Sequence, residues 1–147
     1  MNYTDKDFRA AENIYRNAKV AVLSIDEVQK KLTDDNLKSE LSYEREGYEN
    51  FLQEFSDFLK EQNYRAEDLP ALKKAGMKIG IAMNTFGDKS SPHVANLMLK
   101  GTVTGISELI QLYSRDEGEK ISDDVIFYAK KLQNLEEEYE ARLKKLL

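Results

Sequence analysis

Hydrophobic residues recur at alternating intervals of three and four along four stretches of the chain, and between the second and third stretch that rhythm changes. In the first stretch, from about Asp5 to Lys31, Ala11, Ile14, Ala18, Ala21, Ile25, Val28 and Leu32 form the row. Arg16, Lys19, Asp26, Glu27, Lys30 and Lys31 fall elsewhere, so the spacing predicts a helix with one buried face. Thr33 to Asn36 make a short polar link with capping residues, which forces the next helix to be an antiparallel neighbour. That second helix is expected to run to about Asn63 with Leu37, Leu41, Glu44, Tyr48, Phe51, Phe55 and Phe58 in its row. Glu44 is the single charged member.

Residues 64–91 carry Pro70, Gly76, Gly80 and Gly87, and read as a crossover. Within it Leu72, Ala75, Ile79, Met83 and Phe86 keep helical spacing, which predicts a short helix of about four turns despite its glycines. Ser91 before Pro92 reads as the N-cap of a third long helix, whose row is Ala95, Met98, Thr102, Gly105, Leu109 and Leu112 and which stops near Arg115. Asp116, Glu117 and Gly118 make the following turn. Ser122 is expected to cap the last helix, with Val125, Ala129, Leu132, Leu135, Tyr139 and Leu146 in its row. A helix of nearly thirty residues is about 45 Å long, and a crossover of this length can return along it. The expected fold is therefore all-α: a single four-helix bundle domain over residues 1–147, built of two antiparallel hairpins joined by a long crossover containing a short helix. Among four-helix bundles this is the ferritin-like arrangement.

The run from Asn84 through Thr85, Phe86, Gly87, Asp88, Lys89, Ser90, Ser91, Pro92, His93, Val94 and Ala95, followed by Met98 to Ile106 with Gly101, Thr102 and Gly105, resembles uncharacterised small bacterial proteins of the ferritin-like superfamily, especially those of clostridial relatives. The resemblance covers the whole chain. It implies the fold and carries no activity with it.

Composition narrows the function classes. Of 147 residues, 33% are charged and 41% hydrophobic, as in an ordinary folded domain. The absence of Cys removes disulfides, thiolate metal sites and cysteine nucleophiles. A net charge of −5 provides no basic footprint for nucleic acid or acidic lipid. The longest apolar run, Val20 to Leu23, is far too short for a membrane span, and Asp5 and Asp7 stand where a signal peptide would be basic and then apolar. A cytoplasmic location is expected.

Bundles of this topology often hold two metal ions with Glu from two helices and Glu-x-x-His from the other two. Here there is no Glu-x-x-His, and the one histidine, His93, falls in the first turn of the third helix, so no metal and no cofactor are expected. Aromatic side chains are expected to take that volume instead: Tyr48 and Phe51 come level with Ala18 and Ala21, and with Thr104 and Gly105, so large residues face small ones. Glu44 comes level with Ile25, Met98 or Thr102, and with Tyr139, a hydrogen-bond donor. Glu44 and Tyr139 are thus the candidate polar core site, which Glu40, one turn earlier, could extend into an all-oxygen cation site. The glycine–aspartate–lysine–serine run at 87–90 lacks the spacing and preceding strand of a phosphate loop. Ser91 has no local hydrolase signature. Glu136, Glu137, Glu138 and Glu140 read as a solvated face.

Beyond its row the third helix carries Val94, Leu97, Leu99, Val103, Ile106, Ile110 and Tyr113. Either the crossover helix covers this second apolar face through Ile79, Met83 and Phe86, which is the expectation, or a second subunit does, as a homodimer. The functional reading is a non-enzymatic binding or assembly protein. Two alternatives stand beside it: a metal-binding or redox protein using carboxylates around Glu44, and a carrier of a small apolar ligand held between the helices.

Overall fold

A computed structural model describes residues 3–68, 70–86, 90–114 and 120–147, with the backbone alone at 84–86. The predicted turn at Asp116, Glu117 and Gly118, the run at Gly87, Asp88 and Lys89, and the packing of Phe86 lie outside the described residues. The rest is all-helical: α1 Asp5–Gln29, α2 Asp35–Glu61, α3 Pro70–Phe86, α4 Ser91–Ser114 and α5 Asp123–Lys144. The four long stretches and the crossover helix stand where the periodicity places them. Among the described residues no helix is long and apolar enough to cross a membrane.

Local chemistry sets the ends. The Thr4 hydroxyl accepts from the Asp7 backbone N–H while the Asp7 carboxylate accepts from that of Thr4, a reciprocal cap for α1. Asp34 caps α2 by accepting from the Leu37 N–H at 3.1 Å. At the far end of α2, Asn63 takes a left-handed conformation with φ 58°. Its N–H and that of Tyr64 bond back to the carbonyls of Lys60 and Leu59, the paired closure usually made by glycine. For α4 the first helical bond closes from Val94 N–H onto Ser90, so Ser91 begins the helix one residue earlier than its reading as N-cap implied. Pro92 still lies in the first turn, where its missing N–H costs nothing. Ser122 precedes α5 as expected, but its side chain makes no capping bond. Its backbone N–H instead donates to Asp7 Oδ1 at 2.7 Å, which ties the start of α5 to the start of α1.

Cross-helix contacts fix the directions. Asp26 pairs with Arg45 and Gln29 with Ser42, so α1 and α2 are antiparallel. Tyr113 bonds Gln133 while Gly105 lies against Glu136, so α4 and α5 are antiparallel. Asn17 donates to the Gly105 carbonyl at 3.0 Å, and Ala10 and Leu112 share one surface groove, which runs α4 against α1. It follows that α2 and α4 point the same way, with the crossover spanning the length between them.

Ala11, Ile14, Ala18, Ile25, Leu37, Leu41, Phe55, Leu109, Leu132 and Leu143 fill the shared core of α1, α2, α4 and α5. The aromatic row of α2 is inside it, and it packs chiefly on α5: Tyr48 meets Tyr139 edge-on at 5.2 Å, and Phe55 lies 5.1 Å from Tyr128.

Two packing expectations are corrected. First, α1 is covered on more than one face, because α3 lies along it and meets α4 only marginally. Tyr64 and Tyr15 anchor the approach through Glu12 and Asp68, and Lys31 Nζ donates to the Gly80 carbonyl at the other end. Between these points the helices touch at Gly76, where a Cβ would stand 2.5 Å from that of Leu23. Gly76, which weakens α3 intrinsically, is what lets it approach. Second, the crossover helix therefore does not cover the outer face of α4, on which Val103 and Ile110 remain exposed. Met83 is fully buried, while Ile79 is only half-buried and faces a cleft. A Gly76→Val substitution is expected to cost about 1–3 kcal/mol of stability by overpacking; a urea unfolding midpoint equal to that of the parent would refute the close contact.

Candidate functional site

The cleft lies where α3 turns away from α4. It has a volume of about 450 Å³ and reaches from the surface between α1, α3 and α4 down to α2 and α5. Val20, Ala21, Ile25, Ile79 and Met98 give it apolar walls, and Arg16, Lys78, Lys100 and Glu108 stand at its mouth. Small residues on α4 create the space: a Cβ on Gly101 would meet nothing within 4 Å. Ala21, Tyr48, Thr104 and Gly105, expected at one level, all line the cleft, and so do Ile25, Glu44, Met98 and Thr102. Tyr48 is buried as expected, yet with its ring turned toward Tyr139 it does not fill the volume beside Gly101 and Gly105.

Glu44 and Tyr139 are each 1% exposed. The structure brings them close, but the Tyr139 hydroxyl is directed at Gly47, where a Cβ would be only 1.7 Å from it. Glu44 instead shares a hydrogen bond with Glu40, and no protein donor reaches its Oε2. Burial, then the neighbouring Glu40, push the Glu44 carboxyl up to about 10, against a smaller opposing pull from Arg142. A proton on Glu44 makes the carboxyl–carboxyl contact a hydrogen bond, with Glu40 as the acceptor. Glu40 is itself gripped by Arg142, whose Nε lies 3.0 Å from both carboxylate oxygens and whose guanidinium covers the Tyr43 ring. A guanidinium thus holds the position an added cation would take beside Glu40. Among the described residues no group of three or more His, Asp or Glu is placed to hold a metal ion. His93 lies half-buried in the first turn of α4.

The reading of Glu136 as part of a solvated face is overturned. It is 2% exposed, while Glu137 and Glu138 beside it face solvent. The buried row of α5 is Val125, Ala129, Leu132, Glu136, Tyr139 and Leu143, an unbroken alternation of four and three. Choosing Leu135 because it is apolar, and Leu146 after it, breaks that alternation; keeping it from Leu132 to Tyr139 lands on Glu136. Tyr48 donates to Glu136 Oε2 over a long 3.4 Å, and no protein donor reaches Oε1. Burial raises its carboxyl to about 8, with Tyr48 opposing and Glu108 adding to the rise.

Asn17 is the residue that periodicity could not single out, being a polar position off the row of α1. Its Nδ2 is spent on the Gly105 carbonyl, and its Oδ1 is buried without a protein donor. Gly105 accommodates both side chains. A Cβ there would lie 2.9 Å from Glu136 Oε1 and 3.3 Å from Asn17 Oδ1. The middle of the cleft therefore presents apolar walls and two buried oxygens, Glu136 Oε1 and Asn17 Oδ1, that have no protein hydrogen-bond partner.

No family model matches the chain, and no curated protein or solved structure matches it.

Both buried carboxyls titrate above their ordinary value of 4.5, so the folded chain keeps protons that the unfolded chain releases above that pH. Their stabilising contribution is complete below about pH 4.5 and is lost as pH rises through about 8 and 10. Denaturant unfolding between about pH 5 and 9 is expected to show stability falling by roughly 1 kcal/mol per pH unit for each proton. Combined Glu44→Gln and Glu136→Gln substitutions are expected to flatten that slope. A parent protein equally stable across the window would contradict the protonated assignment.

Proposed function

We propose that this chain is a ferritin-like four-helix bundle acting as a non-enzymatic binding protein, and that the cleft between α1, α3 and α4 takes a small, largely apolar ligand. The ferritin-like reading is supported by the common direction of α2 and α4 across a crossover that runs the length of the bundle. The binding reading is carried by one observation: a cleft of about 450 Å³ with apolar walls reaches Tyr48 in the middle of the core. That volume falls within the roughly 300–1,000 Å³ of small-molecule sites, which combine apolar walls with a few placed polar groups. Space left between packed helices forfeits dispersion contacts that an apolar ligand restores.

The carboxylates around Glu44 support a metal or redox role less well. Glu40 is neutralised by Arg142, and a protonated Glu44 is a donor toward Glu40 before it is a ligand. Charge and shape also direct the reading to small molecules: the net charge is negative, and the polar groups at the base of the cleft are acceptors.

The test is calorimetric titration with saturated eight-carbon amphiphiles, beginning with n-octanol. Saturable one-to-one binding is expected, together with at least about a tenfold loss on Ala21→Phe, which places a ring in the cleft. Failure of every eight-carbon probe to bind would end this reading.

A further inference from the structure

We infer that the cleft selects ligands whose apolar body carries a primary amine, held as an ammonium between Glu136 and Asn17 beside Gly105; this rests on the binding reading above. Two buried oxygens in the cleft have unmatched valences. Glu136 is 2% exposed, lines the cleft, and its Oε1 has no protein donor. On the facing helix Asn17 Oδ1 is in the same position, because its amide nitrogen is already committed to the Gly105 carbonyl. Both oxygens lie within 3.3 Å of the point where a side chain at position 105 would begin. Buried acceptors left without donors cost free energy, and a ligand that supplies donors there recovers it. An ammonium has three donors and no acceptor, which complements a carboxylate and an amide oxygen.

The same inventory discriminates among amphiphiles. An alcohol brings one donor and satisfies one oxygen. A carboxylate brings no donor for Asn17 Oδ1 and would bury its own charge beside Glu136 with no cation to pair it. If it entered tail first instead, to leave its charge with Arg16, Lys78 and Lys100 at the mouth, its methyl end would bury both unmatched oxygens against hydrocarbon. The amine avoids both penalties. An alkylamine reaches the cleft from neutral water already as an ammonium, so the Glu136 carboxyl gives up its proton to solvent, leaving an ammonium and a carboxylate in contact with one proton released. Such a charge-assisted pair in a site shielded from water is stronger than a neutral hydrogen bond.

The experiment compares n-octylamine, n-octanol and n-octanoate, equal in chain length, on the unsubstituted protein. Octylamine is expected to bind about tenfold more tightly than octanol, and octanoate more weakly than either. In Glu136→Gln, which keeps shape and loses the ionisable group, the advantage of the amine over the alcohol is expected to fall to within about twofold. Nuclear Overhauser contacts from the methylene next to the amine should reach Gly105 and Asn17. Octanoate binding as tightly as octylamine, or an amine placed at Arg16 and Lys100, would overturn the assignment while leaving the cleft a binding site. If none of the three binds, the inference fails together with the reading beneath it. The ligand series needs no variant to fold, so its outcome stands whether or not Glu136→Gln is stable.

Discussion

A short helix can pack closely along one neighbour, and the contact at Gly76 commits the crossover helix to α1. With Leu23 pressed against the glycine backbone, α3 cannot also swing across to α4. Everything distinctive in the molecule follows from that choice. α1 becomes a central helix covered on several sides, the outer face of α4 keeps Val103 and Ile110 in solvent, and a wedge of space opens between α3 and α4. The wedge continues as a cleft past Gly101, where a Cβ would meet nothing, to Gly105, whose missing side chain makes room for Glu136 and Asn17.

Inside the core the division of labour is between α5 and α4. Aromatic rings from α2 find their partners on α5, where Tyr128 and Tyr139 meet them edge-on or tilted. That packing consumes the large side chains and leaves the side toward α4 thinly filled. The two buried carboxyls stand at this boundary, each against an aromatic or hydrogen-bonded group rather than a cation. Desolvation therefore favours their neutral forms. Glu44 keeps its proton while donating a hydrogen bond to a Glu40 already held by Arg142; Glu136 has only a distant Tyr48, and each of the two leaves one oxygen without a protein donor. Both line the cleft, and Glu44 alone is hydrogen-bonded to another carboxyl.

The ends of the helices show the same coupling of local and distant chemistry. Asp7 closes the first turn of α1 with one oxygen and holds the start of α5 with the other. Burial alone would raise its carboxyl, but bonds from Ser122 and Thr4 outweigh burial and hold it below the ordinary carboxylate range. One side chain thus caps a helix and pins the N-terminal ends of two parallel helices together.

The alternation of threes and fours in the sequence was enough to locate four long helices and the crossover helix, to align Tyr48, Ala21 and Gly105 at one level, and to bring Glu44 near Tyr139. These follow from period and rise, which are properties of the backbone. Glu136 was also legible, had the period been held to strictly where an adjacent leucine offered an apolar alternative. The packing of α3 on α1 was not legible, because apolar residues on α3 fit either neighbour and the decision rests on a glycine whose value appears only when Leu23 lies opposite. Nor was Asn17, an ordinary polar position until the Gly105 carbonyl takes its amide and strands its oxygen. Periodicity states which face of a helix is buried; tertiary structure alone decides which surface meets that face, and so where space and unmatched hydrogen-bonding atoms are left.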